Sequence, residues 1–210
     1  MFSARLFGDF RDGEFDVLLL DGQKKSYPKN VCVINEGDRA ASFYVINSGK
    51  LKVFMADDRG KEITISVLGQ GDYFGEMGLL DDDIRSAGVM TMEESQLTLI
   101  SRAHFMSCLA KYPDLASRII LGLVRRLREA NKKIGNLAFL DAYGRVANVL
   151  MQLGRKQEGV HVVEEKLTHQ EIANMAGISR EMVSRIFRDM IARGNISVEK
   201  GRITIFEDSF

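Results

Sequence analysis

The sequence predicts an α+β chain in three consecutive parts: a strand-rich N-terminal half, one long helix, and a small helical domain closed by a β-hairpin. Three observations carry this reading. Through the first half, Gly37, Gly49, Gly60, Gly71 and Gly88 punctuate short apolar runs. Between Pro113 and Gly135, apolar residues recur at heptad spacing with no breaker. From about Asp141 the chain is helix-rich, and it ends in two alternating runs around Gly201. The corresponding boundaries are 1–112, 113–138 and 139–210.

The strand candidates are 31-VCVI-34, 43-FYVI-46, 51-LKVFM-55, 63-ITISVL-68 and 96-QLTLI-100. Short strands separated by turn residues every ~8–12 positions point to a sandwich, roll or barrel. The acidic 57-DDRGKE-62 reads as a hairpin tip. Pro113-Asp114 is a good helix opening. Ala116, Ile120, Leu123, Leu127, Ala130, Ile134 and Leu137 then follow at alternating intervals of 4 and 3, an a/d register that predicts a coiled-coil seam and a homodimer. A stripe packed on the helix's own domain is the alternative. The terminal hairpin is 196-ISVEK-200, Gly201 and 202-RITIF-206.

Composition excludes several classes. The 210 residues carry 29 basic and 29 acidic side chains. Any nucleic-acid contact must therefore come from a local patch rather than a basic coat. Cys32 and Cys108 are far apart and form no CxxC pair, which argues against a metal or iron–sulfur site and for a reducing compartment. The N-terminus holds no apolar run long enough for a signal peptide, and no stretch approaches a membrane span. A cytoplasmic protein is expected. Ser-His-Asp, metal-ligand and paired-acid constellations are lacking, so catalysis is not expected.

The segment 168-THQEIANMAGISREMVSRIFRDM-190 fits a helix-turn-helix. Thr168 with Glu171 makes a capping box, Ala176-Gly177 allows a tight turn, and Ser179 caps the second helix. Ile172, Met175, Val183, Ile186 and Phe187 fall on the inward face. Arg180, Glu181, Ser184, Arg185 and Arg188 fall on the outer one. Arginine suits guanine O6 and N7, and glutamate accepts from cytosine N4. A helical hairpin with a solvated charged face is the alternative, but the hairpin that follows supplies a wing. Residues 141–210 hold ten basic and ten acidic side chains, so the arginines of the second helix must act locally.

The stretch 73-YFGEMGLLDDDIRSAGV-89 combines glycines, an early glutamate and an Arg-Ser pair. It lacks GKS or GKT, so it is not a triphosphate P-loop. One guanidinium, one hydroxyl and backbone amides match a single phosphodiester charge, and Glu76 suits a ribose hydroxyl. An Arg–Asp surface pair in an acidic loop is the alternative.

The order of these pieces, with 136-NLAFLDAYGRV-146 and 178-ISREMVSRI-186, closely resembles the cyclic-AMP receptor protein family, also called the CRP/FNR transcription regulators. The resemblance runs from about Tyr27 to Phe206. It implies a cyclic-nucleotide-binding β-roll (jelly roll), a long dimerisation helix with a hinge, and a winged helix-turn-helix DNA-binding domain. It further implies that Gly75, Glu76, Arg85 and Ser86 hold the nucleotide, Glu76 at the ribose 2′-hydroxyl and Arg85 with Ser86 at the cyclic phosphate. Val53, Ile65 and Leu68 would line the pocket, and Arg126 would reach toward Glu76. Ala130 and Asn131 stand where cyclic-AMP binders carry Thr and Ser facing the base. Ala130 cannot hydrogen-bond, which puts the base in doubt.

In the reader helix Arg180, Glu181 and Arg185 match the family's base-contacting positions, with Ser184 and Arg188 on the same face. Thr168, Gln170 and Ser179 would touch phosphates, and His169 stands where an Arg is common. The implied effector is cyclic AMP or another cyclic nucleotide, with no metal, haem or iron–sulfur cluster. The implied partners are palindromic double-stranded DNA, a second copy of the chain and RNA polymerase. A member responding to cyclic di-GMP or to no nucleotide, and a nucleotide-binding module acting on a protein partner, are the alternatives. The 154-GRKQEGVHVV-163 loop and the 56-ADDRG-60 tip are candidates for the polymerase contact.

Overall fold

The computed structural model describes residues 14–157 and 159–206; the start of the N-terminal stretch read for a signal peptide lies outside them. Two compact units are formed. One takes the described residues up to Met55 together with Ile65–Glu129. The other takes Ala56–Thr64 together with those from Ala130 on.

The first unit is built on two four-stranded sheets. One orders β1 (Gln23–Tyr27), β8 (Ser95–Ser101), β3 (Ser42–Ser48) and β6 (Tyr73–Phe74). The other orders β2 (Cys32–Ile34), β7 (Gly88–Thr91), β4 (Leu51–Ala56) and β5 (Glu62–Leu68), of which Ala56 and Glu62–Thr64 are counted with the second unit. Antiparallel pairing of β3 with β8 sets Phe43 opposite Ile100 and Val45 opposite Thr98. Period-2 alternation sends Phe43 and Val45 inward, where they join Tyr73, Leu79, Ile100 and Phe105. Phe43 stacks on Phe105 with centroids 4.5 Å apart. A second cluster gathers Ile34, Leu51, Leu68, Phe74, Val89 and Leu97.

Helices α1 (Glu14–Leu20), α2 (Met77–Leu80) and α3 (Arg102–Lys111) lie in the same unit. Ser101 caps α3 by accepting from the His104 amide, which places His104 in the first turn of that helix.

Helix α4 (Pro113–Phe139) runs straight through Gly135, although a mid-helix glycine costs about 1 kcal/mol relative to alanine. Its first turns bury Leu115, Ile119 and Gly122 in the roll's core. The stripe on its own domain is therefore a different row from the heptad row. Ile120, Leu127 and Ile134, seven residues apart, are 60%, 62% and 64% exposed, and Leu121 and Val124 widen that face. Leu123 is shared, half-buried against the roll. Most of the NLAFLD segment is the last turn of α4. The chain changes direction at Leu140, where Asp141 caps α5 (Ala142–Leu153) by accepting from the Gly144 amide.

The second unit contains α5, α6 (His169–Ala176), α7 (Arg180–Ala192) and a sheet ordered β11 (Ile196–Glu199), β12 (Arg202–Phe206), β10 (Val160–Val163) and β9 (Arg155–Gln157). Within 154–163, read from sequence as a loop, the described residues form two paired strands: the three-residue polar strand RKQ pairs with the apolar VHVV run, and Val162 and Val163 enter the core. That core gathers Val146, Leu150, Ile172, Val183, Phe187, Met190 and Ile205.

Candidate nucleotide cassette and nucleic-acid interface

The cassette begins where β6 ends. Gly75 adopts φ +85, and a Cβ there would stand 2.8 Å from Arg85 Nη1 and 3.0 Å from the Ser42 carbonyl. Only glycine combines this left-handed backbone with so close a neighbour. The chain turns into α2, whose C-cap is Asp81, and Asp82 follows at φ 60. The aspartates thus form a solvated helix end. Asp82 pairs with Arg102 at 2.7 Å, and the Arg–Asp surface pair considered for Arg85 does not form.

Arg85 is instead buried, 6% exposed. Its Nη1 donates to the Gly75 carbonyl and its Nη2 to the Ser42 carbonyl, both at 2.6 Å. A guanidinium carries five N–H donors, so these bonds leave three. The Tyr44 ring, stacked on Phe74, lies 6.0 Å from the Arg85 carbon. Burial lowers the Arg85 pKa, opposed by Tyr44, Glu76 and Asp38.

Glu76 is 1% exposed. Its Oε1 accepts from Arg126 Nη1 at 2.6 Å. Its Oε2 is buried with no hydrogen-bond partner. Arg126 also donates to the Tyr73 carbonyl and lies 4.6 Å over the Tyr73 ring. A buried carboxylate oxygen without a partner is costly, and a sugar hydroxyl would satisfy it. Ser86 Oγ is 3.8 Å from Met77 Sδ. The residues present fit a ribose phosphate: an acceptor waits in Oε2, and a buried guanidinium keeps spare donors.

Leu68 is buried and Val53 packs against the same cluster. Ile65 is exposed, and three residues from Leu68 it falls on the other face of β5. Ala130 and Asn131 are exposed on α4 in the other unit.

Composition missed Asp72, Tyr73 and Ser42. Asp72 accepts from the Gly69 amide at 2.8 Å. Burial pushes its carboxyl from the ordinary 3.8 up to about 6, against the pull of that bond and of Arg126. Also missed was Lys133, which donates to the Thr64 carbonyl within the second unit. Burial pushes its ammonium down to about 8.

In the second unit the helix pair forms from its caps inward. Thr168 and Glu171 complete both halves of the capping box. Gly177 adopts φ 67 as the left-handed cap that ends α6. Ser179 caps α7 by accepting from the Met182 amide. Val183, Ile186, Phe187 and Met190 are buried, so the helix presents Arg180, Glu181, Arg185 and Arg188 to solvent. Ser184 is half-buried: it donates to the Arg180 carbonyl at 3.1 Å and meets His169 Nδ1 at 2.8 Å. Gln170 bonds Asn174 at 2.7 Å. Strands β11 and β12 form the wing.

Among the described residues no group of three His, Cys, Asp or Glu is arranged to hold a metal ion. No described helix is long and apolar enough to cross a membrane.

A nucleotide-type cassette in a roll, followed by a winged helix-turn-helix, defines a ligand-regulated DNA-binding protein. Residues 24–112 match the cyclic nucleotide-binding domain, and residues 144–207 match the Crp-like helix-turn-helix domain. The Cyclic AMP receptor protein of Thermus thermophilus is 33% identical over 207 residues, covering 99% of this chain and 94% of its own. The cAMP-activated global transcriptional regulator CRP of Escherichia coli is 34% identical over 184 residues, 86% of this chain and 88% of its own. A solved structure of the c-di-GMP responsive global regulator CLP of Xanthomonas campestris superposes with a TM-score of 0.84 at 25% identity, over 93% of this chain and 99% of that one. The chain belongs to the CRP family of transcription regulators, with a cyclic nucleotide-binding domain and a DNA-binding helix-turn-helix.

Proposed function

We propose that this regulator binds cyclic AMP in the cassette, as a homodimer, and that the bound nucleotide raises its affinity for a palindromic DNA site. The observation that carries the reading is the buried Glu76 carboxylate, one oxygen paired with Arg126 and the other without a partner. Glu76 Oε2 would accept the ribose 2′-hydroxyl. The spare donors of Arg85, with Ser86 Oγ, would take the cyclic phosphate. Val53 and Leu68 would form the apolar wall.

Because Arg126 stands on α4, any ligand that reorganises Glu76 acts directly on the helix that carries the exposed Ile120–Leu127–Ile134 row. A second copy covering that row makes the homodimer. Its two α7 helices would read successive major grooves, with Arg180, Glu181 and Arg185 at base edges and Thr168, Gln170, Ser179 and Arg188 toward phosphates. The nucleotide acts only as far as it favours one of two states.

Cyclic AMP is favoured because the curated relatives with 33% and 34% identity are described by that ligand. A second reading, cyclic di-GMP, rests on Ala130, which offers no hydrogen bond to a base, and on the ligand of the Xanthomonas campestris structure. Calorimetry with cyclic AMP, cyclic GMP and cyclic di-GMP separates them. The reading expects cyclic AMP to bind tightest; a preference for cyclic di-GMP would replace it with the second.

A further inference from the structure

The hydroxyl that the nucleotide reading gives to the cyclic phosphate already has a partner in this structure. Ser86 Oγ lies 3.8 Å from Met77 Sδ. A thioether carries no hydrogen and can only accept, so Ser86 donates to the sulfur. Met77 is the first residue of α2, directly after Glu76. The rest of that helix is anchored. Leu79 is fully buried. A Cβ at Gly78 would stand 2.8 Å from both the Ala40 Cβ and the Asp83 carbonyl oxygen, so α2 sits flush on the chain behind it. Met77 is left on the outer side. At 48% it is the most exposed methionine among the described residues, ahead of Met55 at 42% and Met106 at 39%.

We propose that Met77 is an oxidation site that controls nucleotide binding, because its sulfoxide withdraws the Ser86 hydroxyl from the cyclic phosphate. The inference rests on the nucleotide reading of the cassette.

The oxidant is hydrogen peroxide or an organic hydroperoxide. The sulfur lone pair attacks the terminal peroxide oxygen, the O–O bond breaks and an S–O bond forms. The proton of the attacked oxygen passes to the leaving oxygen, which departs as water or an alcohol. The sulfur loses two electrons and the peroxide gains them.

A thioether is a weak acceptor, so in the reduced protein Ser86 exchanges it for a phosphate oxygen at little cost. Oxidation makes the side chain polar. The new oxygen, one bond from the sulfur, is a strong acceptor within reach of the same hydroxyl. Ser86 has one hydrogen to give, so the phosphate loses a charge-assisted bond. The S–O dipole also sets partial negative charge beside an anion. The other exposed methionines stand away from Ser86, Met55 in β4 and Met106 in α3. Met182 lies against Arg185 on α7 in the second unit.

The test uses the full chain. It is treated with hydrogen peroxide until mass spectrometry shows Met77 as the sulfoxide, then titrated calorimetrically with cyclic AMP, or with cyclic di-GMP if that binds tighter. Wild-type affinity is expected to fall at least about tenfold, the loss of one hydrogen bond to a charged group. It should return after treatment with methionine sulfoxide reductases. Met77→Leu conserves the volume and lacks the sulfur, and the same peroxide treatment should leave its affinity unchanged. Met77→Gln places an amide acceptor near Ser86 and should bind more weakly than wild type with no oxidant present. A wild type oxidised at Met77 that binds as tightly as the untreated protein overturns the proposal. So does a Met77→Leu protein that loses as much affinity as wild type. If the untreated chain binds none of cyclic AMP, cyclic GMP and cyclic di-GMP, the nucleotide reading fails as well.

Discussion

The cassette and the reader helix both depend on arginines, but they hold them in opposite ways. In the cassette, Arg85 and Glu76 are buried and tied to protein partners. On α7, Arg180, Arg185 and Arg188 stand in solvent. On the proposed function the cassette would recognise one small ligand through charges that are already desolvated and oriented, so its residues would support the fold as well as the function. On the same proposal the reader meets a polyanion whose own charge draws it in, so its side chains can stay exposed and screened, and the fold does not need them. The two sites should therefore respond differently to mutation.

The largest expected effect separates them on the cassette side. Arg85→Leu should weaken cyclic AMP binding in calorimetry by at least about 100-fold, through loss of charge-assisted bonds. It should also lower stability by about 1–3 kcal/mol, because the Gly75 and Ser42 carbonyls lose their donor. Retained affinity would remove the phosphate role. Next, Glu76→Ala should cost about 3 kcal/mol in urea unfolding, because it leaves the partly buried Arg126 guanidinium without its carboxylate. An unchanged midpoint would mean that the pair contributes little.

Arg180→Ala sits on the other side of the comparison. It should leave unfolding within about 0.5 kcal/mol of wild type, while specific DNA binding falls by about 1–3 kcal/mol. A large loss of stability would contradict the view that α7 carries its charges outside the fold.

The smallest effect is electrostatic. The folded-state pKa of Asp72 is raised to about 6 from 3.8. The protonated form is favoured in the fold, so this group's contribution is full below pH 3.8 and is lost as pH rises to about 6. Asp72→Asn keeps an acceptor for the Gly69 amide without the charge. It should match wild type in strong acid and exceed it by about 1 kcal/mol at neutral pH, after allowance for solvent screening. Equal stability at neutral pH would mean that Asp72 is better solvated than its burial suggests.

Much of this contrast was legible in the sequence, for physical reasons. Caps and turns are local chemistry, so Thr168 with Glu171, Gly177 and Ser179 could be read directly. The heptad row on α4 could be read because 3.5-residue spacing survives in any context. Strand β1 could not: QKKSY exposes four of its five residues, buries Tyr27 alone, and is held by its pairing with β8. Strand β6 is two residues long and β9 three, too short for alternation to register. In the cassette, Glu76, Arg85 and Arg126 followed from the family pattern. Ser42 and Tyr73 were missed because they contribute carbonyl oxygens, which every residue possesses. Asp72 was missed because its property is burial, which belongs to the fold. Ile65 was placed with Leu68 although their spacing of three separates them across a strand.

The central claim is that the buried cassette controls the exposed reader. It is tested most directly by titrating a fluorescent operator duplex with wild type and Arg85→Leu, with and without saturating cyclic AMP. The predicted result is at least a tenfold gain in wild-type DNA affinity on adding the nucleotide, about 1.4 kcal/mol of coupling, and no gain for Arg85→Leu. Equal wild-type affinity with and without cyclic AMP would contradict it.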